Sequence, residues 1–221
     1  TLAFKDYALQ FLGNLFSQSI KKIDKKITIL GATSGDTGSA AINAFRGKKN
    51  INVFILHPYN KVSEVQRRQM TSVLDENIFN IAVQGTFDDC QNIVKDLFLD
   101  KEIQKITSLT AINSINWARI MAQIVYYFWS FVQLQEKNIS FIVPSGNFGN
   151  IFSARASQIM GLPIKSLNIA TNENDILHKI ISTGQMHINN VKETYSPSMD
   201  IQVSSNFERQ IFDSSNRDSE I

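Results

Sequence analysis

Cysteine occurs once, at Cys90, so no disulfide can form within the chain, and a reducing compartment such as the cytoplasm fits best. Cys90 falls on the apolar side of a predicted helix, where a small buried hydrophobe is a better reading than a nucleophile. Histidine is scarce as well. His57, His178 and His187 share no metal-ligand spacing and no Cys/His cluster exists, so no catalytic metal is expected. No apolar run is long enough to cross a bilayer, and the opening Thr1-Leu2-Ala3-Phe4-Lys5-Asp6 lacks the apolar core of a signal peptide. Neither sign of charge dominates: 22 Lys and Arg against 20 Asp and Glu leave +2, which gives no case for a nucleic-acid or membrane partner. The densest basic run, Lys21, Lys22, Lys25 and Lys26, reads as a solvated helix end. Repeats and low-complexity stretches are absent.

What remains is an ordinary globular balance. A hydrophobic share of 43% over 221 residues supplies one large domain or parts of two. The first residue is not methionine, and the expectation is a chain that starts within something larger.

Strand and helix patterns alternate along most of the chain. Short apolar strands are expected over 26–31, 52–57, 78–83, 140–143 and 164–170. Helices are expected over 37–45, 61–74, from Thr86 onward, 115–134 and 151–160. Thr86 with Asp89 three residues on is a capping-box pattern, and Phe87, Cys90, Ile93, Val94, Leu97 and Phe98 follow at helical spacing. After about residue 184 the pattern weakens. The alternation implies an α/β fold: mainly parallel sheets with helices on both faces. Sites in such folds sit in the loops after the strands.

Two glycine-rich loops occupy that position. Gly31-Ala32-Thr33-Ser34-Gly35-Asp36-Thr37-Gly38 joins a strand to a helix, so its free N–H groups suit an anion. Its spacing is neither the dinucleotide fingerprint nor a P-loop, and an ordinary tight turn is the plain alternative. Pro144-Ser145-Gly146-Asn147-Phe148-Gly149-Asn150 also joins a strand to a helix and reads as a phosphate cradle, or as a turn with an N-cap. The third element is Phe4-Lys5-Asp6. Locally, Lys5 is most simply a surface charge, although a lysine whose surroundings lower its pKa can form a Schiff base.

Taken together and in order, these motifs resemble the threonine synthase family of fold type II pyridoxal-phosphate enzymes, whose fold is like that of tryptophan synthase β. The resemblance extends to His57-Pro58 with Lys61-Val62-Ser63, to Asn113-Ser114-Ile115-Asn116, and to Ser196-Pro197-Ser198-Met199-Asp200-Ile201. It covers residues 2 to about 212.

The resemblance implies roles for particular residues. Lys5 carries pyridoxal 5'-phosphate as a Schiff base and, once released, moves protons on the substrate. Gly146, Asn147, Phe148, Gly149 and Asn150 hold the cofactor phosphate. Ser34, Gly35, Asp36 and Thr37 hold the substrate carboxylate, with Asp36 near the cofactor's phenolic oxygen, where cysteine synthases usually have Asn. The substrate would be O-phospho-L-homoserine, converted with water to L-threonine and phosphate. Its phosphate calls for a second anion site, for which Asn113, Ser114, Asn116 and Arg119 are the candidates, with Lys61 a weaker one. Arg119 could equally be a surface helix residue, although Trp117, Ile120 and Met121 argue against full exposure.

The resemblance also implies that residues 1–35 and 114–221 belong to a large cofactor domain and 36–113 to a smaller one. Family members are longer at both ends, and no hydroxyl partner for the pyridine nitrogen is recognisable after Asp200. These residues alone are therefore expected not to turn over. A monomer or homodimer is expected. A dehydratase on the same fold, or a non-catalytic remnant, are the alternatives; a Rossmann nucleotide binder is weak.

Overall fold

The computed structural model describes residues 1–23, 25–33 and 35–218. Contact density divides the chain into two compact units, Thr1–Arg119 and Ile120–Ile221.

The first unit opens with α1 (Lys5–Ile23) and then alternates: β1 (Ile27–Ala32), α2 (Asp36–Phe45), β2 (Ile51–Pro58), α3 (Glu64–Thr71), β3 (Ile78–Val83), α4 (Phe87–Leu99), α5 (Lys101–Ile106) and β4 (Ser108–Ala111). The strands form one sheet in the order β3-β2-β1-β4, and every pairing is parallel. Parallel neighbours need a crossover, which the intervening helices supply, and the crossovers cover both faces. The burial pattern agrees. Ile29, Val53 and Ile55 pack with Leu9 and Leu12 of α1 and with Ile42 and Phe45 of α2. On the other face, Leu30 and Leu56 pack with Cys90 of α4. Strands buried on both sides read as largely apolar runs, as 27–32 and 51–56 do apart from Thr28 and Asn52. Each large apolar side chain so buried contributes roughly 1.5–3 kcal/mol. Cys90 is fully buried, as expected, and burial pushes its thiol pKa up.

Because β1 lies at the centre of this sheet, 27–35 is grouped here with 36–113.

Helix α6 (Trp117–Leu134) begins at the end of the first unit and continues into the second. The second unit also holds β5 (Ile139–Pro144), α7 (Gly149–Ile159), β6 (Ile164–Ala170), α8 (Ile176–Thr183), a 3-10 turn at Pro197–Met199 and α9 (Phe207–Ser214). Strands β5 and β6 pair in parallel. Val143, Phe148, Ile151, Phe152, Ile164 and Leu177 are among the residues of its core. Among the described residues, no helix is long and apolar enough to cross a membrane.

Most expected elements form within a few residues of their expected bounds. Both halves of the capping box between Thr86 and Asp89 are present. Helix α1, α5, β4, α8 and α9 were not expected.

Candidate functional site

In the first unit the site centres on Lys5, the first residue of α1. Its ammonium donates to Asp36 Oδ2 at 3.4 Å and lies 5.5 Å from the Phe4 ring centre. Burial lowers the Lys5 pKa below its ordinary value; Asp36 works against this, and the nearby Arg119 cation reinforces it. A lysine in this state supplies a free amine more readily than an exposed one, which is what attack on a carbonyl requires.

Asp36 is the first residue of α2 and is half-buried. Its second oxygen, Oδ1, accepts from the Gln66 amide on α3. The carboxylate therefore lies between Lys5 and a neutral donor.

Thr33 stabilises the loop before α2 from inside. It is buried, and its Oγ1 accepts from Gly35 N at 3.0 Å and from Gly38 N at 2.9 Å. The first N–H groups of a helix have no partner within it. Thr33 satisfies that of Gly38. Gly35 has φ 143°, a conformation that L side chains rarely adopt. Thr37 is half-buried on the first turn. Ser34, the remaining expected residue of this loop, lies outside the described residues.

Arg119 is 5% exposed, so it is no surface residue. Its charge acts on Lys5. The preceding segment is built as a turn and a cap. Asn113 Oδ1 accepts from Asn116 N at 3.1 Å, Asn116 Nδ2 donates to Ala111 O at 2.8 Å, and Asn116 Oδ1 accepts from Ala118 N at 2.9 Å. Much of the hydrogen-bonding capacity of Asn113 and Asn116 is thus used in starting α6. Ser114 is half-buried beside them. Lys61 is exposed, and its charge acts on Asp89.

In the second unit, 145–150 leads from β5 into α7. Ser145 N donates to Ala170 O at 2.9 Å, continuing the strand pairing into the loop. A Cβ on Gly146 would lie 3.0 Å from Met199 Cα and 3.1 Å from Ile201 Cγ1, so the 199–201 segment packs directly against this glycine. That segment is held by Asp200. Its Oδ1 accepts from Asn172, Asn174 and Thr194 side chains and its Oδ2 from Thr194 N, all at 2.6–3.0 Å.

Asn147 O accepts from the fully buried Asn206, from N at 3.3 Å and Nδ2 at 3.1 Å. Phe148 takes a left-handed conformation, φ 60° and ψ 0°, just before α7. A large side chain rarely adopts it. The strain is held by packing: the Phe148 ring is buried and meets Phe207 edge-on at 5.0 Å. The turn at Phe148 lets Gly149 open α7, whose first N–H groups form an anion-ready helix end. Asn150 is fixed by Tyr127, whose hydroxyl donates to its backbone O at 3.0 Å and also to its side-chain oxygen. Its amide donates to Gln123 Oε1 at 3.0 Å. Burial pushes the Tyr127 phenol pKa up, which keeps it a donor.

Sequence reading missed Thr33, Gln66, Tyr127, Gln123, Asn206 and the role of Asp200. Ser63 and Gln66 in the S-x-x-Q pattern were a legible signal for a helix start. The others bond across elements distant in sequence and leave no local trace. Among the described residues, no group of three or more His, Cys, Asp or Glu could hold a metal.

Comparison with known proteins follows the same lines. The chain is 55% identical over 215 residues to a threonine synthase of Pseudomonas aeruginosa, covering 96% of this chain and 46% of that protein. It is 52% identical over 225 residues to a threonine synthase of Saccharomyces cerevisiae, covering 96% and 44%. A crystal structure of threonine synthase from Brucella melitensis with bound pyridoxal phosphate superposes with a TM-score of 0.92 at 50% identity, covering 99% of this chain and 48% of that one. The chain thus spans just under half the length of these relatives. The family described as pyridoxal-phosphate dependent enzyme matches residues 1–220, and the chain belongs to that family, with its type II fold and pyridoxal phosphate as its cofactor.

Proposed function

We propose that the protein is a threonine synthase, converting O-phospho-L-homoserine and water to L-threonine and phosphate. The observation that carries this is the identity above 50% to proteins of that name, over nearly all of this chain. The residues fit the cofactor in each unit. Lys5 is a half-buried amine with a lowered pKa, and 146–150 is a strained, tightly packed loop that opens a helix. Lys5 would hold the cofactor's aldehyde carbon, and Gly146, Asn147, Phe148, Gly149 and Asn150 its phosphate. When bound, the cofactor's ring spreads the negative charge left by a departing carbon-bound proton.

In this reading the Lys5 amine takes protons from the substrate's α- and β-carbons and returns protons to its α- and γ-carbons. Burial and the Arg119 charge lower the amine's proton affinity, and Asp36 opposes them. Gly35, Asp36 and Thr37, with Ser34, lie at a helix start suited to the substrate carboxylate. Arg119 is the residue best suited to the substrate phosphate, with Asn113, Ser114 and Asn116 shaping the turn before it and Lys61 a distant second. The bond from the γ-carbon to the phosphate oxygen breaks, the hydroxyl of water bonds to the β-carbon, and the remaining proton of water balances the departing phosphate. The single buried cysteine and the small-molecule substrate suit a cytoplasmic setting.

The test is phosphate release and threonine formation from O-phosphohomoserine by the complete protein that carries these residues, beside Lys5→Ala and Lys5→Arg. Both variants are expected to lose turnover and the absorbance of the lysine-bound cofactor. Normal turnover in either one refutes the assignment of Lys5.

A further inference from the structure

Ser63 and Gln66 begin α3 in the pattern of a capping box. One half forms, with Ser63 Oγ accepting from Gln66 N at 3.4 Å. In the complete box the side chain at the third position returns to the cap's backbone. Gln66 instead sends its amide across to α2 and donates to Asp36 Oδ1. Ser63 Oγ fixes that amide from behind, donating to Gln66 Oε1 at 3.0 Å. There is room because residue 35 is glycine: a Cβ there would land on the Gln66 amide.

The two oxygens of Asp36 are thus divided, Oδ1 to Gln66 and Oδ2 to Lys5 at 3.4 Å. That second distance is long for a charged pair, so its strength depends on where Oδ2 is held. The terminal torsion of an aspartate is broad and two-fold, and nothing in the residue itself fixes it. A neutral amide fixes it without titrating.

We propose that Gln66 is a positioning residue for Lys5: it acts through Asp36, locking the carboxylate so that one oxygen stays turned to the Lys5 amine. The proposal rests on the reading of Lys5 as the reactive amine. The other charge acting on Lys5 is Arg119 of α6, and the Phe4 ring lies alongside. On α3 itself, Glu64 pairs with Arg67 and Arg68 at the surface.

The test reads Lys5 directly. The full chain, freed of cofactor, is treated with limiting trinitrobenzenesulfonate across neutral to alkaline pH, and labelling of the Lys5 peptide is followed by mass spectrometry. Asp36→Asn removes the partner and is expected to move the labelling midpoint to lower pH. Gln66→Leu is expected to move it the same way, with several-fold faster labelling near neutral pH. Ser63→Ala should give a smaller shift in that direction, and it serves as the second variant should Gln66→Leu fold poorly. In an Asp36→Asn background, Gln66→Leu should add nothing, because the two act as one unit.

An unmoved midpoint in Gln66→Leu, or a shift that survives in the double variant, overturns the proposal. A midpoint that rises also overturns it, since Gln66 would then only disperse the charge of Asp36. The reading of Lys5 itself fails separately: borohydride treatment of the cofactor-loaded protein would then trap no cofactor on Lys5, whatever the labelling of the variants shows.

Discussion

Thr33→Val separates the hydroxyl of Thr33 from its shape. Valine fills nearly the same volume, so packing in the buried pocket is kept and the acceptor is lost. Two N–H groups, those of Gly35 and Gly38, then lose a partner at 3.0 and 2.9 Å. Both glycines are buried, so water reaches these groups poorly. An unsatisfied buried donor costs about 1–3 kcal/mol, which makes about 2–6 kcal/mol for the pair. The N-terminal end of α2 can shift toward solvent and recover part of this, so about 2–4 kcal/mol is expected. A protein stable by some 5–15 kcal/mol feels that loss strongly. The assay is equilibrium urea unfolding followed by far-ultraviolet circular dichroism, with Thr33→Ser as the control. Serine keeps the acceptor and gives up one buried methyl group, a loss of about 0.5–1.5 kcal/mol. The reasoning fails if Thr33→Val is no more destabilising than Thr33→Ser.

Arg119→Met keeps the apolar stem and removes the charge. It should raise KM for O-phosphohomoserine by an amount equal to roughly 2–4 kcal/mol and move Lys5 labelling to higher pH, since a neighbouring cation is gone; a variant that loses cofactor and keeps substrate affinity would place Arg119 at the wrong phosphate. Gly146→Val forces a branched side chain against the Met199 backbone and should cost about 1–3 kcal/mol in stability. Cofactor affinity, measured by absorbance titration, should fall further than that, and an unchanged affinity would make the loop a plain turn. The lowered pKa of Lys5 has a sign that can be tested. Between the folded and the ordinary value, the unfolded chain binds more protons than the folded one, so stability from this residue rises with pH across that window. Urea midpoints of the parent and Lys5→Met should therefore converge as pH rises through it, and parallel profiles would contradict the linkage.

The sequence disclosed the sheet because its inner strands β1 and β2 are largely buried. Runs such as 27–32 and 51–56 are apolar except for Thr28 and Asn52, and local composition alone marks them. The helix over 87–99 was legible for a similar reason, since Thr86 and Asp89 form their cap within one turn. Helix α1 was not. Its buried positions, Ala8, Leu9, Leu12 and Ile20, are sparse, and Gly13, Asn14 and Ser17 between them are weak helix formers. Packing against α2 supplies what propensity does not. Strand β4 is only Ser108–Ala111, and its register is set by β1, far away in the chain.

The loops of the candidate site were legible as loops, because glycines between a strand and a helix are a local signal. Their supports were not. Gln66 reaches Asp36 across thirty positions, and only the β1–β2 crossover brings them together. At Phe148 the local signal even misleads, since glycine or asparagine is the usual occupant of such a turn and here the buried ring against Phe207 overrides that preference.

Lys5 occupies the first position of a nineteen-residue helix. Helix starts favour acids, and Asp6, one residue on, meets that preference. The lysine opposes it, as a cation in the first turn of α1 that also feels the Arg119 charge. Stability alone would select another residue here, so in the proposed reading Lys5 is stability given up for reactivity. A screen for stabilising substitutions in this protein would accordingly turn up Lys5 early, and every replacement it favoured would remove the one amine on which the proposed chemistry depends.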